Sequence, residues 1–302
     1  MAGVDDTLSG GLTRREHAPA KLNLFLHVGS RAASGYHALE SLVVFSEFGD
    51  HLRLSPANEF ELVRTGPYAA ALPEQSMEDL TARAVAGLAE ICGRAAEFTL
   101  TLEKNIPVAA GLGGGSADAA AAIRLVGREW GIDLDDPRVR ALAQGLGADV
   151  PMCLHSKPAW IAGAGEQVVP IANCAALDLL LVNPRVPLST AQVFAAYAPS
   201  DAQAASDPVS LDLASSASVL AFLEHQRNDL AGPAQGLCPV ISEVLDSLVQ
   251  SRDCRLARMS GSGPTCFALF DDADACERAA FELGAQHPGW WVRSTRTDHS
   301  SP

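Results

Sequence analysis

The sequence predicts an α+β protein of two domains with a cleft between them. Strand-like and helix-like segments are mixed in both halves of the 302-residue chain. The pattern also resets near residues 172–178, and each half carries its own glycine loop, Gly111–Gly115 and Ser260–Gly263. A chain of this length holds one large or two ordinary domains, and 48% hydrophobic residues supply a core for them. The division expected is a tail at 1–17, a first domain at 18–172 and a second at 173–302.

Lys21–Val28 alternates, with Leu22, Leu24, Leu26 and Val28 on one face of a strand and Lys21, Asn23, Phe25 and His27 on the other. An apolar run at Leu39–Phe48 and a short strand at Leu52–Leu54 follow. Asp79–Cys92 reads as a helix with Leu80, Ala84 and Leu88 on one stripe. Phe98–Leu102 is a strand, and Ser116–Trp130 is a helix stopped by Gly131. Pro137–Gln144 is a helix opened by proline. In the second half, Leu177–Val182 is a strand ended by Asn183-Pro184. Residues 199–219 are rich in Ala, Ser and Asp and read as a long surface connection or insert. Helices are expected at Val219–Leu230, Val240–Gln250 and Asp274–Gly284, and strands at Thr265–Phe270 and Trp290–Thr295.

The glycine loop is the strongest chemical signal. Glycine lets backbone N–H groups approach a ligand, and the helix behind it adds free N–H groups and the positive end of its dipole. Together they make a phosphate site. No lysine follows the glycines, so this is not a P-loop, and Ser116 or Asp118 stands where the dinucleotide fingerprint needs its last glycine. A flexible loop with Ser116 as helix cap is the bland alternative.

A net charge of −14 argues against general nucleic-acid or anionic-membrane binding, while leaving nucleotide binding open. The seven cysteines form no Cys-x-x-Cys pair, which suits free thiols in a reducing compartment. Met1–His17 lacks the apolar core of a secretory signal, and no apolar run reaches membrane-spanning length, so a cytoplasmic protein is expected. Taken singly, Asp149 in Gly147-Ala-Asp-Val-Pro151 reads as a turn cap. Lys21 reads as solvated surface, and Asn23 as a strand-edge amide.

Five segments in order change that weighting: Pro19-Ala-Lys21-Leu-Asn23-Leu, Gly35-Tyr36-His37, Pro107-Val-Ala-Ala-Gly111-Leu-Gly-Gly-Gly-Ser116, Gly147-Ala-Asp149-Val-Pro151 and Ser260-Gly-Ser-Gly263. In this order and spacing the chain resembles the GHMP kinases, the galactose, homoserine, mevalonate and phosphomevalonate kinase superfamily, from about Ala18 to Phe270. The resemblance implies a ribosomal S5 domain 2-like N-terminal domain with a left-handed crossover and a ferredoxin-like C-terminal domain.

It also implies a two-sided site. ATP, with Mg²⁺, lies on Pro107, Val108, Ala109, Ala110, Gly111, Leu112, Gly113, Gly114, Gly115, Ser116 and Ala117. Ser116 is the candidate ligand for the metal, since no carboxylate is an obvious dedicated one. Asp149 is the implied base, and Lys21 the cation that keeps it ionised and stabilises the moving phosphoryl group. Asn23, Tyr36, His37 and Phe194 face the acceptor. Tyr36 and His37 fall where the superfamily's cytidine-specific branch holds its base, which implies 4-diphosphocytidyl-2-C-methyl-D-erythritol as acceptor and a step in non-mevalonate isoprenoid synthesis.

Two positions depart from that branch's pattern. Val43, with Phe45 two residues on, stands where an aromatic stacks on cytosine, so stacking is expected from Tyr36 and Phe194. Asp79 stands where Asn approaches the adenosine, and an ionised carboxylate cannot donate a hydrogen bond. A homoserine or mevalonate type of kinase and a non-catalytic nucleotide-binding relative are the rival readings.

Overall fold

The structure is a computed structural model that describes residues 14–31, 37–72, 78–198 and 212–297. Its first sheet is organised around one long strand, β3 (His37–Pro56), which takes in both segments expected at 39–48 and 52–54. β1 (Arg14–Asn23) and β2 (His27–Arg31) pair antiparallel with β3. β5 (Phe98–Glu103) and β6 (Ala159–Gly163) also pair antiparallel with it. β4 (Glu61–Thr65) and β7 (Gln167–Pro170), neither foreseen, complete the order β4-β5-β3-β6-β7.

The strand expected at Lys21–Val28 is therefore two strands, because Leu24, Phe25 and Leu26 turn inward to buried positions between them. β1 includes residues before the expected boundary at 18. Arg14–His17 already pairs with β3, and buried Glu16 accepts from Arg124 Nε at 2.7 Å and pairs with Arg128.

Helices α1 (Leu80–Cys92), α2 (Gly114–Trp130), α3 (Pro137–Leu146) and α4 (Val150–His155) cover this sheet. The alanines 119–122 of α2 are fully buried, and their small side chains let the helix lie close to α1, β1 and β3. That close packing fixes the direction in which the N-terminus of α2 points.

The second sheet has four antiparallel strands, β8 (Asp178–Asn183), β9 (Leu256–Met259), β10 (Cys266–Phe270) and β11 (Trp291–Arg296), in the order β11-β8-β10-β9. Helices α5 (Thr190–Ala196), α6 (Ser216–Glu224), α7 (Ala231–Leu237) and α8 (Val240–Gln250) lie between β8 and β9, and α9 (Ala273–Gln286) lies between β10 and β11. Counted within this half, the strands run 4-1-3-2 with helices at both crossovers, the ferredoxin-like order.

The helix expected at Val219–Leu230 starts earlier, capped by Ser215, and ends at Glu224; residues 227–229 instead run alongside Leu26. Of the connection read at 199–219, residues 199–211 lie outside the described residues, and Leu213 is buried.

One apolar cluster joins the halves: Leu22, Leu24, Phe25 and Trp160 pack with Leu179, Phe267 and Trp291. All seven cysteines are free thiols. Among the described residues no helix is long and apolar enough to cross a membrane.

Candidate active site

Lys21 sits at the end of β1, where the pairing with β3 shifts register between Pro19 and Lys21. Such an irregularity re-aims a side chain out of the regular pleat. The ammonium is almost wholly buried, donates to Asn23 Oδ1 at 2.8 Å and lies 3.3 Å from Asp149 Oδ2. Asp149 occupies the residue before α4 but makes no side-chain cap bond, so the bland reading of a turn cap fails. Its side chain remains 39% exposed, which leaves a carboxylate oxygen open to the cleft.

The glycine loop crosses directly above this pair. Gly113 has φ +63°, and a Cβ there would stand 3.1 Å from Lys21 Cε and 3.8 Å from Asp149 Oδ2. Glycine supplies both the left-handed backbone and the clearance. The loop is also tied to β1 from behind, since Lys21 N–H donates to the Leu112 carbonyl at 2.9 Å. Gly113 is itself the cap of α2, and no side chain caps the helix. Ser116 is thus in the first turn rather than at the cap. The first N–H groups of a 17-residue helix are left for an anion.

A cleft of about 1120 Å³ opens over these groups. Lys21, Asn23, Asp149, Pro107–Gly111 and Gly113–Ser116 line one part of it, and His37 and Phe194 line another. Leu112 and Ala117, expected on the nucleotide side, are buried in the core instead. The His37 and Phe194 rings lie 5.7 Å apart, and His37 Nδ1 is 2.9 Å from the Gly29 carbonyl, which leaves Nε2 for a ligand. Tyr36 lies outside the described residues. Asn23 stands at the wall with both ends engaged: Nδ2 donates to Ser41 Oγ at 2.7 Å, and one amide hydrogen remains.

Residues 79–157 match the GHMP kinases N terminal domain, and residues 217–288 match the GHMP kinases C terminal domain. A Parvibaculum lavamentivorans protein named 4-diphosphocytidyl-2-C-methyl-D-erythritol kinase is 44% identical over 94% of this chain and 98% of its own. The chain belongs to the GHMP kinase family. A Methylorubrum extorquens protein with the same kinase name is 46% identical over 92% of this chain and 97% of its own. A crystal structure of 4-(cytidine 5'-diphospho)-2C-methyl-D-erythritol kinase superposes with a TM-score of 0.78 at 33% identity, covering 94% of this chain and all of that one. Homoserine kinase from Cytophaga hutchinsonii shares the fold, with a TM-score of 0.69 at 16% identity.

The surroundings of Asp79 and Val43 account for the two departures. Asp79 does not face the cleft; it caps α1 by accepting from Thr81 N–H at 2.8 Å and pairs with Arg64 Nε at 3.0 Å. Val43 and Phe45 are fully buried in β3, so neither can cover a ligand ring. Tyr197 takes a place beside His37 instead, with ring centroids 5.8 Å apart, and donates to the Val28 carbonyl at 2.5 Å.

Sequence reasoning missed Tyr197, Thr190 and Lys104. Thr190 lines the cleft, with its hydroxyl 2.8 Å from Ser262 Oγ. Lys104 follows β5 and lies almost fully buried between Asp50 at 2.5 Å and Asp118 at 2.6 Å, while still reaching the cleft wall. Burial pushes the Asp118 carboxyl well above the ordinary carboxylate range against the pull of the ammonium. The attraction of both carboxylates, set against burial, holds the Lys104 ammonium above its usual value. A buried lysine with two acidic partners far apart in sequence has no local signature. The Ser260–Gly263 loop packs on the phosphate loop, with Ser260 Oγ donating to the Gly111 carbonyl at 3.4 Å, and just beyond it Thr265 N–H donates to the Ala110 carbonyl at 3.2 Å; Asn23 N–H of β1 donates to Ser260 Oγ at 3.1 Å.

Proposed function

We propose that this chain is an ATP-dependent kinase that phosphorylates the 2-hydroxyl of 4-diphosphocytidyl-2-C-methyl-D-erythritol, giving the 2-phosphate and ADP. One observation carries the reading: the Lys21–Asp149 pair, 3.3 Å apart, lines one cleft together with the uncapped N-terminus of α2 and the His37–Phe194 pair. A phosphate donor on one side and a base-bearing acceptor on the other would meet over that pair. The kinase name carried by relatives at 44% and 46% identity supports the same acceptor.

The chemistry follows from the positions. Phosphoryl transfer depends mostly on alignment and charge stabilisation. Asp149 accepts the proton of the acceptor hydroxyl as its oxygen bonds to the γ-phosphorus. The bond to the bridging oxygen breaks, and ADP leaves. Lys21 holds Asp149 in place and offers positive charge to the equatorial phosphoryl oxygens. The first N–H groups of α2 take phosphate oxygens without net basic charge on the protein. Mg²⁺ would be held by the nucleotide phosphates and the Ser116 hydroxyl, and would neutralise phosphate charge. His37 Nε2 reads the base edge, and Phe194 packs on the ring face.

We propose an ATP-binding domain ending at 172, which takes in Arg14–His17 of β1 as well as the expected 18–172, and a substrate domain at 173–302; the free thiols support a reducing, cytoplasmic setting. ADP release measured with the cytidyl acceptor, homoserine and mevalonate tests the reading. Turnover of the cytidyl compound alone is expected. Turnover of homoserine or mevalonate without it would overturn the choice of acceptor, and ATP binding with no turnover at all would favour a non-catalytic relative.

A further inference from the structure

Asn228 belongs to none of the motifs above and does not line the cleft, yet its side chain is buried and fully committed. Its Nδ2 donates to the carbonyls of Met259 at 2.7 Å and Gly261 at 2.8 Å, and its Oδ1 accepts from Leu230 N–H at 2.9 Å. The backbone around it fills the gap between β1 and β2. Leu26 N–H donates to the Arg227 carbonyl at 3.0 Å, and Asp229 N–H donates to the Leu26 carbonyl at 2.8 Å. Arg258 reinforces the same junction through three backbone carbonyls: Leu24 at 2.7 Å, Gln226 at 2.8 Å and Leu223 at 2.9 Å.

The loop that Asn228 holds from behind is the one whose front meets the reacting groups. A Cβ on Gly261 would stand 3.2 Å from Asn23 Oδ1 and 3.3 Å from the Gly111 carbonyl, and Ser262 lines the cleft beside Thr190. Gly261 and Gly263 both have positive φ, so the loop has little intrinsic stiffness. Its carbonyls at 259 and 261 need donors, and the fork of one amide supplies both.

We propose that Asn228 is a positioning residue for phosphoryl transfer. It sets the height of Gly261 and Ser262, and so aligns the acceptor wall of the cleft with the phosphate loop at Gly111. The inference rests on the kinase reading above. Displacing that wall shifts Gly261 and Ser262 beside Asn23 and Thr190, while the first N–H groups of α2, which rest on β1 and α1 and not on this loop, stay in place. The loss therefore falls on kcat more than on the KM for ATP, and a displacement of about 1 Å costs on the order of 10²-fold.

The test compares Asn228→Ala and Asn228→Asp with Thr297→Val. The last loses a buried hydrogen bond to Leu177 N–H and does not line the cleft. Hydrogen exchange on the ligand-free proteins should show faster exchange at residues 261–263 in Asn228→Ala and Asn228→Asp, which both lose the two donated bonds, and not in Thr297→Val. In turnover, Asn228→Ala should lose about 10- to 100-fold in kcat with the KM for ATP within about two-fold of wild type. Asn228→Asp sets a carboxylate against two carbonyls, so its deficit relative to wild type should shrink as pH falls and the carboxyl regains a proton to donate. Unchanged exchange at 261–263 would overturn the proposal, as would an equal kcat loss in Thr297→Val at a matched drop in melting temperature. If wild type turned over no alcohol, the kinase reading would fall, while the exchange measurement would still decide whether Asn228 pins the loop.

Discussion

Gly111→Ala should damage the protein through backbone, and the structure gives the size of the effect. Gly111 has φ +75°, and a Cβ built there stands 2.5 Å from the Gly263 carbonyl oxygen, 3.0 Å from its carbon and 3.1 Å from the Ser260 carbonyl oxygen. All three are main-chain atoms, so no rotamer change relieves them. The left-handed backbone costs an alanine about 1–2 kcal/mol. Forcing the two loops apart adds about 1–3 kcal/mol. The sum, about 2–5 kcal/mol, corresponds to a fall in melting temperature of about 4–10 °C for a chain of this size.

Gly115→Ala is the control. Its Cβ would meet only Leu80 Cδ1, at 3.7 Å, and the residue lies in α2, where alanine is favoured by up to about 1 kcal/mol. Thermal unfolding of both variants without ligand decides the matter. If Gly111→Ala melted within about 1 °C of wild type, or Gly115→Ala melted as low as Gly111→Ala, the packing argument for the two loops would be wrong.

Asp149→Asn should keep its fold, because the side chain is partly exposed and caps nothing, and should lose about 10²- to 10⁴-fold in kcat; turnover within about three-fold of wild type would remove it as the base. Phe194→Ala should raise the KM for a cytidyl acceptor about 10- to 100-fold while leaving the KM for ATP alone, as expected for loss of a ring that packs on a base. Equal effects on both substrates would place the ring elsewhere in the reaction. Burial raises the thiols of Cys153 and Cys276 from 9.0 to about 12. Because the thiolate is the nucleophile, its share at pH 8 is on the order of 10⁻⁴, and alkylation should spare both cysteines there and speed up as pH rises. Stoichiometric labelling of Cys153 in folded protein at pH 8 would contradict the burial described.

Much of the site could be read from the chain because its parts are local. The Gly111–Ser116 loop and α2 are contiguous, so glycine content and helix periodicity together signalled an anion site. Lys21 was legible only through the resemblance of Pro19-Ala-Lys21-Leu-Asn23-Leu to the family pattern, because a strand lysine taken alone reads as solvated surface. Three of the four second-half strands were legible as runs bounded by Pro or Gly, as at Val182 before Asn183-Pro184, while the four-residue β9 was not expected. The first sheet was less legible. β3 is fed by neighbours on both edges, so it runs straight through Gly49 and Asp50, where composition suggested a break. Leu24–Leu26 alternates like a strand but is turned inward, because burial on both sides outweighs the period-two signal.

Residue types and order thus determined the phosphate loop, the candidate base and the fold class, since each rests on chemistry within a few residues or on a pattern along the chain. Only the tertiary structure decided which of these groups meet. It put Lys21 within 3.3 Å of Asp149, gave Asp79 to Arg64 and a helix cap, buried Val43 and Phe45, and set Tyr197 beside His37. It also placed Lys104 between two carboxylates 54 and 14 residues away in sequence. Contacts of that span depend on how β3 and α2 pack, and no local pattern of residues encodes a distance between elements.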